Sequence, residues 1–229
     1  KSSIGTTSES NLFNNSFLKN AGDTMGDWYP IAMGRLGYSD DYAAYLAVIE
    51  DVVEKRYRTS DKLSDTKSTE WHRISLAILS VGGDPTQIGT DQSGNAINLI
   101  QDGTYNRGKT VSLGAQGING WVWGLITLDS MRYMIPQDSY YSRDAIIKEI
   151  LCLQLADGGF SFYQDVADAD ITAMTLQALA PYYNSEQVYR YTQQATGKET
   201  IKTVRQVVDE ALETLSSLQT ENGDFKSWD

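Results

Sequence analysis

Four stretches decide how the rest of the chain is read: Asp27-Trp-Tyr-Pro-Ile-Ala-Met-Gly-Arg-Leu36, Glu70-Trp-His-Arg-Ile-Ser-Leu-Ala-Ile-Leu79, Asn119-Gly-Trp-Val-Trp-Gly-Leu-Ile-Thr-Leu128 and Asp170-Ile-Thr-Ala-Met-Thr-Leu-Gln-Ala-Leu179. Each opens on an acid or an amide and reaches Leu nine residues later. Six residues in, the four carry Met33, Leu76, Leu125 and Leu176; one residue earlier they carry the small or short Ala32, Ser75, Gly124 and Thr175. The starts at 27, 70, 119 and 170 lie 43, 49 and 51 residues apart. Self-similarity at such a period marks one supersecondary unit repeated along the chain.

The four stretches are apolar around nearly the whole circumference, which predicts inner helices buried on most sides, with the opening Asp or Asn placed to cap the first turn. Between them run amphipathic stretches: Asp41 to Tyr57, Ala96 to Ile100, Ser142 to Gln154 and Lys202 to Gln219. In the first, Tyr45, Val48, Ile49, Val52 and Val53 oppose Glu50, Asp51, Glu54 and Lys55. One apolar stripe against one charged face predicts outer helices that shield the inner ones. Gly37, Gly82-Gly83 with Asp84-Pro85, and Pro181 supply stops after inner helices. The expected fold is a series of helical hairpins.

Two outer helices are followed by one phrase, Gln154-Leu-Ala-Asp-Gly158-Gly-Phe160 and Gln219-Thr-Glu-Asn-Gly223-Asp-Phe225, both Gln-x-x-x-Gly-x-Phe and 65 residues apart. It reads as a joint. The Gln bonds backbone at a helix end, the Gly permits a left-handed turn, and the aromatic plugs the seam between neighbouring repeats.

Composition narrows the function classes. The chain has 229 residues, 41% hydrophobic and 10% aromatic, enough for a sizeable core without metal or disulfide staples. Nineteen Lys and Arg against 30 Asp and Glu leave a net charge of -11, which opposes phosphate backbones and anionic headgroups, so neither nucleic-acid binding nor membrane insertion is expected. One Cys (Cys152) and one His (His72) cannot make a disulfide framework or a four-ligand Cys/His site. Cys152, at helical spacing from Ile146 and Glu149, reads as a buried thiol.

At these residues the chain resembles the α/α-toroid superfamily of terpene cyclases, protein prenyltransferase β subunits, complement thioester domains and cobalamin carriers. Gln-x-x-x-Gly-x-Phe is similar to the Gln-Trp repeat of the cyclases, and Asp168-Ala-Asp170-Ile-Thr172-Ala173 to their Asp-x-Asp-Asp-Thr-Ala acid motif. Arg73-Ile-Ser-Leu-Ala-Ile-Leu79 with Gly83-Asp-Pro85, Gln116-Gly-Ile-Asn-Gly120 and Ala178-Leu-Ala-Pro-Tyr182 look like the prenyltransferase and squalene oxidase repeat modules of Gram-positive surface proteins. The resemblance runs from about residue 25 to the end. It implies an all-α fold, a partial α/α toroid with about four inner and four outer helices. Residues 1–24 are expected to be an N-terminal linker or partial helix, the Asn14-Asn-Ser16 sequon included, and residues 25–229 the toroid domain. The ten residues from Phe160 to Asp170, counted on from Phe225, place a fifth inner helix near residue 235. Since closed toroids of the superfamily use five to seven, the expectation is an open arc truncated at its C-terminus.

Activities of the superfamily make separate demands. A class II cyclase protonates an alkene with the middle acid of its motif, held by flanking partners toward an apolar cavity. Asp168 and Asp170 supply the first two acids, but Ile171 replaces the last, so Asp168 and Asp170 are catalytic candidates only. Prenyltransferases need Asp, Cys and His on zinc; Cys152 in an outer helix and His72 in an inner one are not expected to meet. The thioester phrase, Gly-x-Ser-x-Gly and the phosphate loop are absent. Asp165, Asp168 and Asp170 lack the Gly and the final Glu of a calcium loop and read as solvated or capping acids, so no metal or cofactor is expected.

Parallel inner helices would bring their N-terminal residues to one mouth: Asp27, Trp28, Glu70, Trp71, His72, Asn119, Trp121, Asp168 and Asp170. Indoles beside carboxylates suit a glycan, a peptide or a small cationic ligand, whereas the same residues as caps and gap-fillers would be structural. The expected function is a non-catalytic binding or structural module of a larger bacterial cell-surface protein, secreted or surface-displayed. The alternatives are a class II terpene-cyclase or prenyltransferase-like enzyme with Asp170 as general acid, and small-molecule binding of the cobalamin-carrier kind.

Overall fold

Helices form where the repeat spacing puts them. In the computed structural model, which describes residues 11–106, 109–163 and 166–225, the order is α1 (Asn15–Leu18), α2 (Thr24–Arg35), α3 (Tyr42–Ser60), α4 (Thr69–Ser80), α5 (Ile118–Asp129), α6 (Arg143–Cys152), α7 (Ala169–Leu179), β1 (Val188–Thr192), β2 (Glu199–Thr203) and α8 (Val204–Ser217). The near-apolar stretches are α2, α4, α5 and α7; the amphipathic ones at 41–57, 142–154 and 202–219 are α3, α6 and α8. The chain is mostly helical, in keeping with the all-α expectation, and adds one small two-stranded sheet, the β1–β2 hairpin. The chain divides into two compact units, Lys1–Ser112 and Leu113–Asp229.

In the first unit, α3 buries Tyr45, Ile49, Val53 and Tyr57, spaced four apart along one face, while α4 buries every residue from Trp71 to Ile78. Tyr45, Ile49, Val53 and Tyr57 share one core with Trp71, Ile74, Ala77 and Ile78. Helix α2 packs on α4, and Gly34 allows the approach: a Cβ there would lie 1.9 Å from the Ser80 carbonyl oxygen. The segment expected as a linker or partial helix contributes Leu12, Phe13, Phe17, Leu18 and Ala21 to the same core. Asn14 caps α1, and the Asp40 carboxylate accepts the Leu12 and Phe13 N–H groups at 2.8 and 3.1 Å. The outer helix expected at 96–100 starts later: after a bridge between Thr90 and Ala96 the chain turns helical at Leu99 and Ile100 and runs on as a π-helical turn over Gln101–Tyr105. That turn sits against α4 at Gly103, where a Cβ would come within 2.4 Å of Trp71 Cβ.

In the second unit, α5 packs against α6 and α7, α7 against α8, and the hairpin against α6 and α8. Gly117, at φ +58°, opens α5, and a Cβ on Gly120 would meet the Leu113 carbonyl oxygen at 1.8 Å. The glycines of Gln116-Gly-Ile-Asn-Gly120 are thus demanded by backbone conformation and close packing. In the hairpin Tyr189 and Tyr191 face inward while Val188 and Ile201 are exposed. A capping box of Thr203 and Gln206 starts α8. The first joint works as its residues predict: Gln154 Nε2 donates to the Gly158 carbonyl at 2.9 Å, Gly158 adopts φ +91°, and Phe160 is fully buried. Cys152, expected to be buried, is half-buried at the end of α6.

Candidate functional site

Each inner helix begins one to three residues before the acid or amide expected to cap it, because the chain finds its first helical turn at Thr24, Thr69, Ile118 and Ala169. Asp27 therefore stands a turn inside α2 and is fully buried. Its Oδ2 accepts from Arg73 Nε at 3.0 Å, and its Oδ1 accepts from the Gly22 N–H and the Tyr45 hydroxyl at 2.8 and 2.9 Å. Burial raises the Asp27 pKa, against the opposing pull of Arg73 and the Gly22 N–H. Glu70 grips the other side of the guanidinium, accepting from Arg73 Nη1 and Nη2 at 2.6 and 2.9 Å. Burial would raise the Glu70 carboxyl, but the Arg73 contacts outweigh it and hold it below the usual range. The Arg73 guanidinium is thus spent inside the first unit, joining α2 to α4.

Trp71 and His72 are also interior. Trp71 Nε1 donates to the Tyr57 hydroxyl at 2.8 Å, which donates to Asp102 Oδ2 at 2.8 Å. Burial raises the Asp102 pKa, partly offset by Tyr57 and Lys109. His72 Nε2 donates to the Gly103 carbonyl at 2.7 Å, while its Nδ1 is buried without a hydrogen-bond partner. Burial pushes the His72 imidazole down to about 4, although the Gly103 carbonyl favours the protonated form. The expectation that Asp27, Trp71 and His72 face an accessible mouth is therefore corrected: their side chains are enclosed. Trp28 is partly exposed. In the second unit, Trp121 is nearly buried, edge-on to Tyr141 at 5.2 Å between ring centroids, and Asn119 Oδ1 is buried without a partner.

The acid motif has a different setting. Asp168, not Asp170, caps α7, its Oδ1 accepting the Ile171 N–H at 2.8 Å. Asp170 is exposed in the first helical turn. Beside them lies an open cleft of about 270 Å³ lined by Ser161, Phe162, Tyr163, Asp168, Asp170 and Ile171. Phe162 is 48% exposed and Tyr163 81%. These two aromatics were not singled out in the sequence; the signal was an aromatic pair directly after a buried Gly-x-Phe joint, where packing no longer calls for one. Asp165, considered for calcium, lies outside the described residues. Among the described residues no group of three or more His, Cys, Asp and Glu is arranged to hold a metal ion, and no helix is long and apolar enough to cross a membrane.

The chain matches no family model, no curated protein and no solved structure.

Proposed function

We propose that the chain is a non-catalytic module of a larger bacterial cell-surface protein, built as a partial α/α toroid, and that the cleft at the start of α7 binds a glycan. One observation carries the ligand class: the exposed rings of Phe162 and Tyr163 stand beside Asp170 in an open cleft. Aromatic faces stack on the C–H faces of sugars, and a carboxylate accepts from their hydroxyls. The positive end of the α7 dipole at the same place disfavours a cation. Against catalysis, alkene protonation calls for an acid sheltered from water, whereas Asp170 is exposed and Asp168 is engaged as the cap. The surface location rests on the resemblance together with the acidic composition and single Cys.

Two assays test this reading. On a glycan array the chain is expected to bind and the Tyr163→Ala variant to lose binding; capture of peptides instead would replace the ligand class. With squalene or geranylgeranyl diphosphate no turnover is expected. A product that disappears in Asp170→Asn would overturn the module reading in favour of a cyclase.

A further inference from the structure

The inner face of the β1–β2 hairpin carries Tyr189, Tyr191, Thr200 and Lys202, and of these Lys202 alone is charged. Its side chain is 22% exposed and reaches into the first joint, where Nζ donates to Gln154 Oε1 at 3.2 Å and to Glu210 Oε2. Gln154 is fully buried. The other end of its carboxamide is fixed, Nε2 donating to the Gly158 carbonyl at 2.9 Å and to the Val207 carbonyl at 3.4 Å. An amine, a carboxamide and a carboxylate are thus held together by β2, the turn after α6 and α8.

The joint itself does not need the lysine. In the second copy Gln219 Nε2 donates to the Gly223 carbonyl at the same 2.9 Å, and Gly158 and Gly223 share a left-handed φ, +91° and +89°, although Gln219 is exposed. The turn is built through Nε2, and the Lys202 contact to Oε1 is an addition made by the hairpin. The neighbourhood is largely dry. Val207 is fully buried, and Tyr191 keeps a buried hydroxyl with no hydrogen-bond partner among the described residues. Burial raises the Tyr191 pKa, and the Glu210 charge adds to the rise. Water, the competing nucleophile, is thereby kept from the Gln154 carbonyl.

We propose that Lys202 and Gln154 join in an intramolecular isopeptide bond, with Glu210 as the proton relay. Cδ lies one C=O bond, about 1.2 Å, behind Oε1. Rotation of the lysine chain therefore brings Nζ to the roughly 3–3.5 Å of a near-attack geometry. Glu210 takes a proton from the ammonium, and the free amine attacks Cδ. The Nζ–Cδ bond forms and the Cδ–Nε2 bond breaks. Glu210 carries the two protons lost by Nζ to Nε2, which leaves as ammonium past the Gly158 and Val207 carbonyls that held it. The carboxylate is regenerated, and no oxidant or co-reactant is consumed. The bond ties β2 to the end of α6 across 48 residues of sequence, and it is independent of glycan binding.

The test is the mass of the purified chain and of its tryptic peptides. The unsubstituted chain is expected to be lighter than its sequence by one ammonia, with the peptides that carry Gln154 and Lys202 joined. Lys202→Arg keeps a cation beside Glu210, and Glu210→Gln keeps an acceptor for Lys202; both are expected at full mass, with unchanged helix content by circular dichroism. The closed loop is expected to hold the melting temperature of the unsubstituted chain on the order of 10 °C above that of Lys202→Arg. An unsubstituted chain that stays at full mass through prolonged incubation at neutral pH would overturn the proposal and leave an ordinary ion pair. Ammonia loss that maps instead to Asn222-Gly223 would overturn it as well. A Glu210→Gln chain that still cross-links would remove Glu210 from the step.

Discussion

Arg73 Nε meets Asp27 Oδ2 at 3.0 Å across 46 residues of sequence, inside the core that α2 and α4 share. The pair is held from both sides, since Arg73 also bonds the Gly22 carbonyl at 3.0 Å and Glu70 takes its other amino groups. Removing one member leaves a buried charge with too few partners, the costly way to break an ion pair. Asp27→Ala is expected to lose about 3–5 kcal/mol of unfolding free energy in urea titrations. A loss below about 1 kcal/mol would mean that Glu70 alone satisfies the guanidinium.

His72 makes the first unit sensitive to acid. Its imidazole titrates near 4 when folded and near 6.5 when unfolded, so between those values the unfolded chain holds more protons and stability rises with pH. Its contribution is complete above about 6.5 and lost as pH falls toward 4, up to about 3 kcal/mol in all. The raised Asp27 pKa acts with the opposite sign above its ordinary value, stability falling there as pH rises, so the two partly offset each other. His72 is the single histidine, so its ring signals in an NMR titration are unambiguous. They are expected to keep the neutral form at pH 5, and His72→Gln is expected to flatten the stability profile between pH 4 and 6.5.

Gly34 is a packing residue. Gly34→Ala places a methyl group 1.9 Å from the Ser80 carbonyl oxygen, a contact relieved only by moving α2 away from α4. A loss of about 1–3 kcal/mol is expected from such overpacking, despite the better helix propensity of Ala. A thermal melt that rises instead would show that the two helices have room to part.

The cleft residues should separate binding from stability. Phe162→Ala and Tyr163→Ala remove exposed rings, so each is expected to change the unfolding free energy by less than about 0.5 kcal/mol while abolishing glycan capture. Equal loss of binding and of melting temperature would make the two rings part of the fold.

How far the sequence reaches can be judged element by element. The inner helices at 27–36, 70–79, 119–128 and 170–179 and the outer ones at 41–57, 142–154 and 202–219 match α2 to α8 to within a turn at most ends, since an apolar run of helical length carries its own periodicity. The β1–β2 hairpin was legible only faintly, in the alternation Val188, Tyr189, Arg190, Tyr191 and in Gly197 at φ +67°, because a short strand pair owes its stability to the helices behind it. Leu12 and Phe13 were hidden by the Ser, Thr and Asn around them, and only the core of α3 and α4 gives them a place.

The candidate site was less legible. Acids at helix starts predict capping, and one of the expected acids, Asp168, caps its helix. Nothing local says that Asp27 lies inward against an arginine 46 residues on, or that Trp71 is sealed by Tyr57 while Tyr163 is left in water. Sequence by itself determined the helices, their repeat and the form of both joints, because hydrogen bonds within a turn and periodic burial depend on residues a few positions apart. Only the tertiary structure decided which polar and aromatic groups are interior and which meet solvent, because desolvation depends on partners that the chain brings together from far along its length.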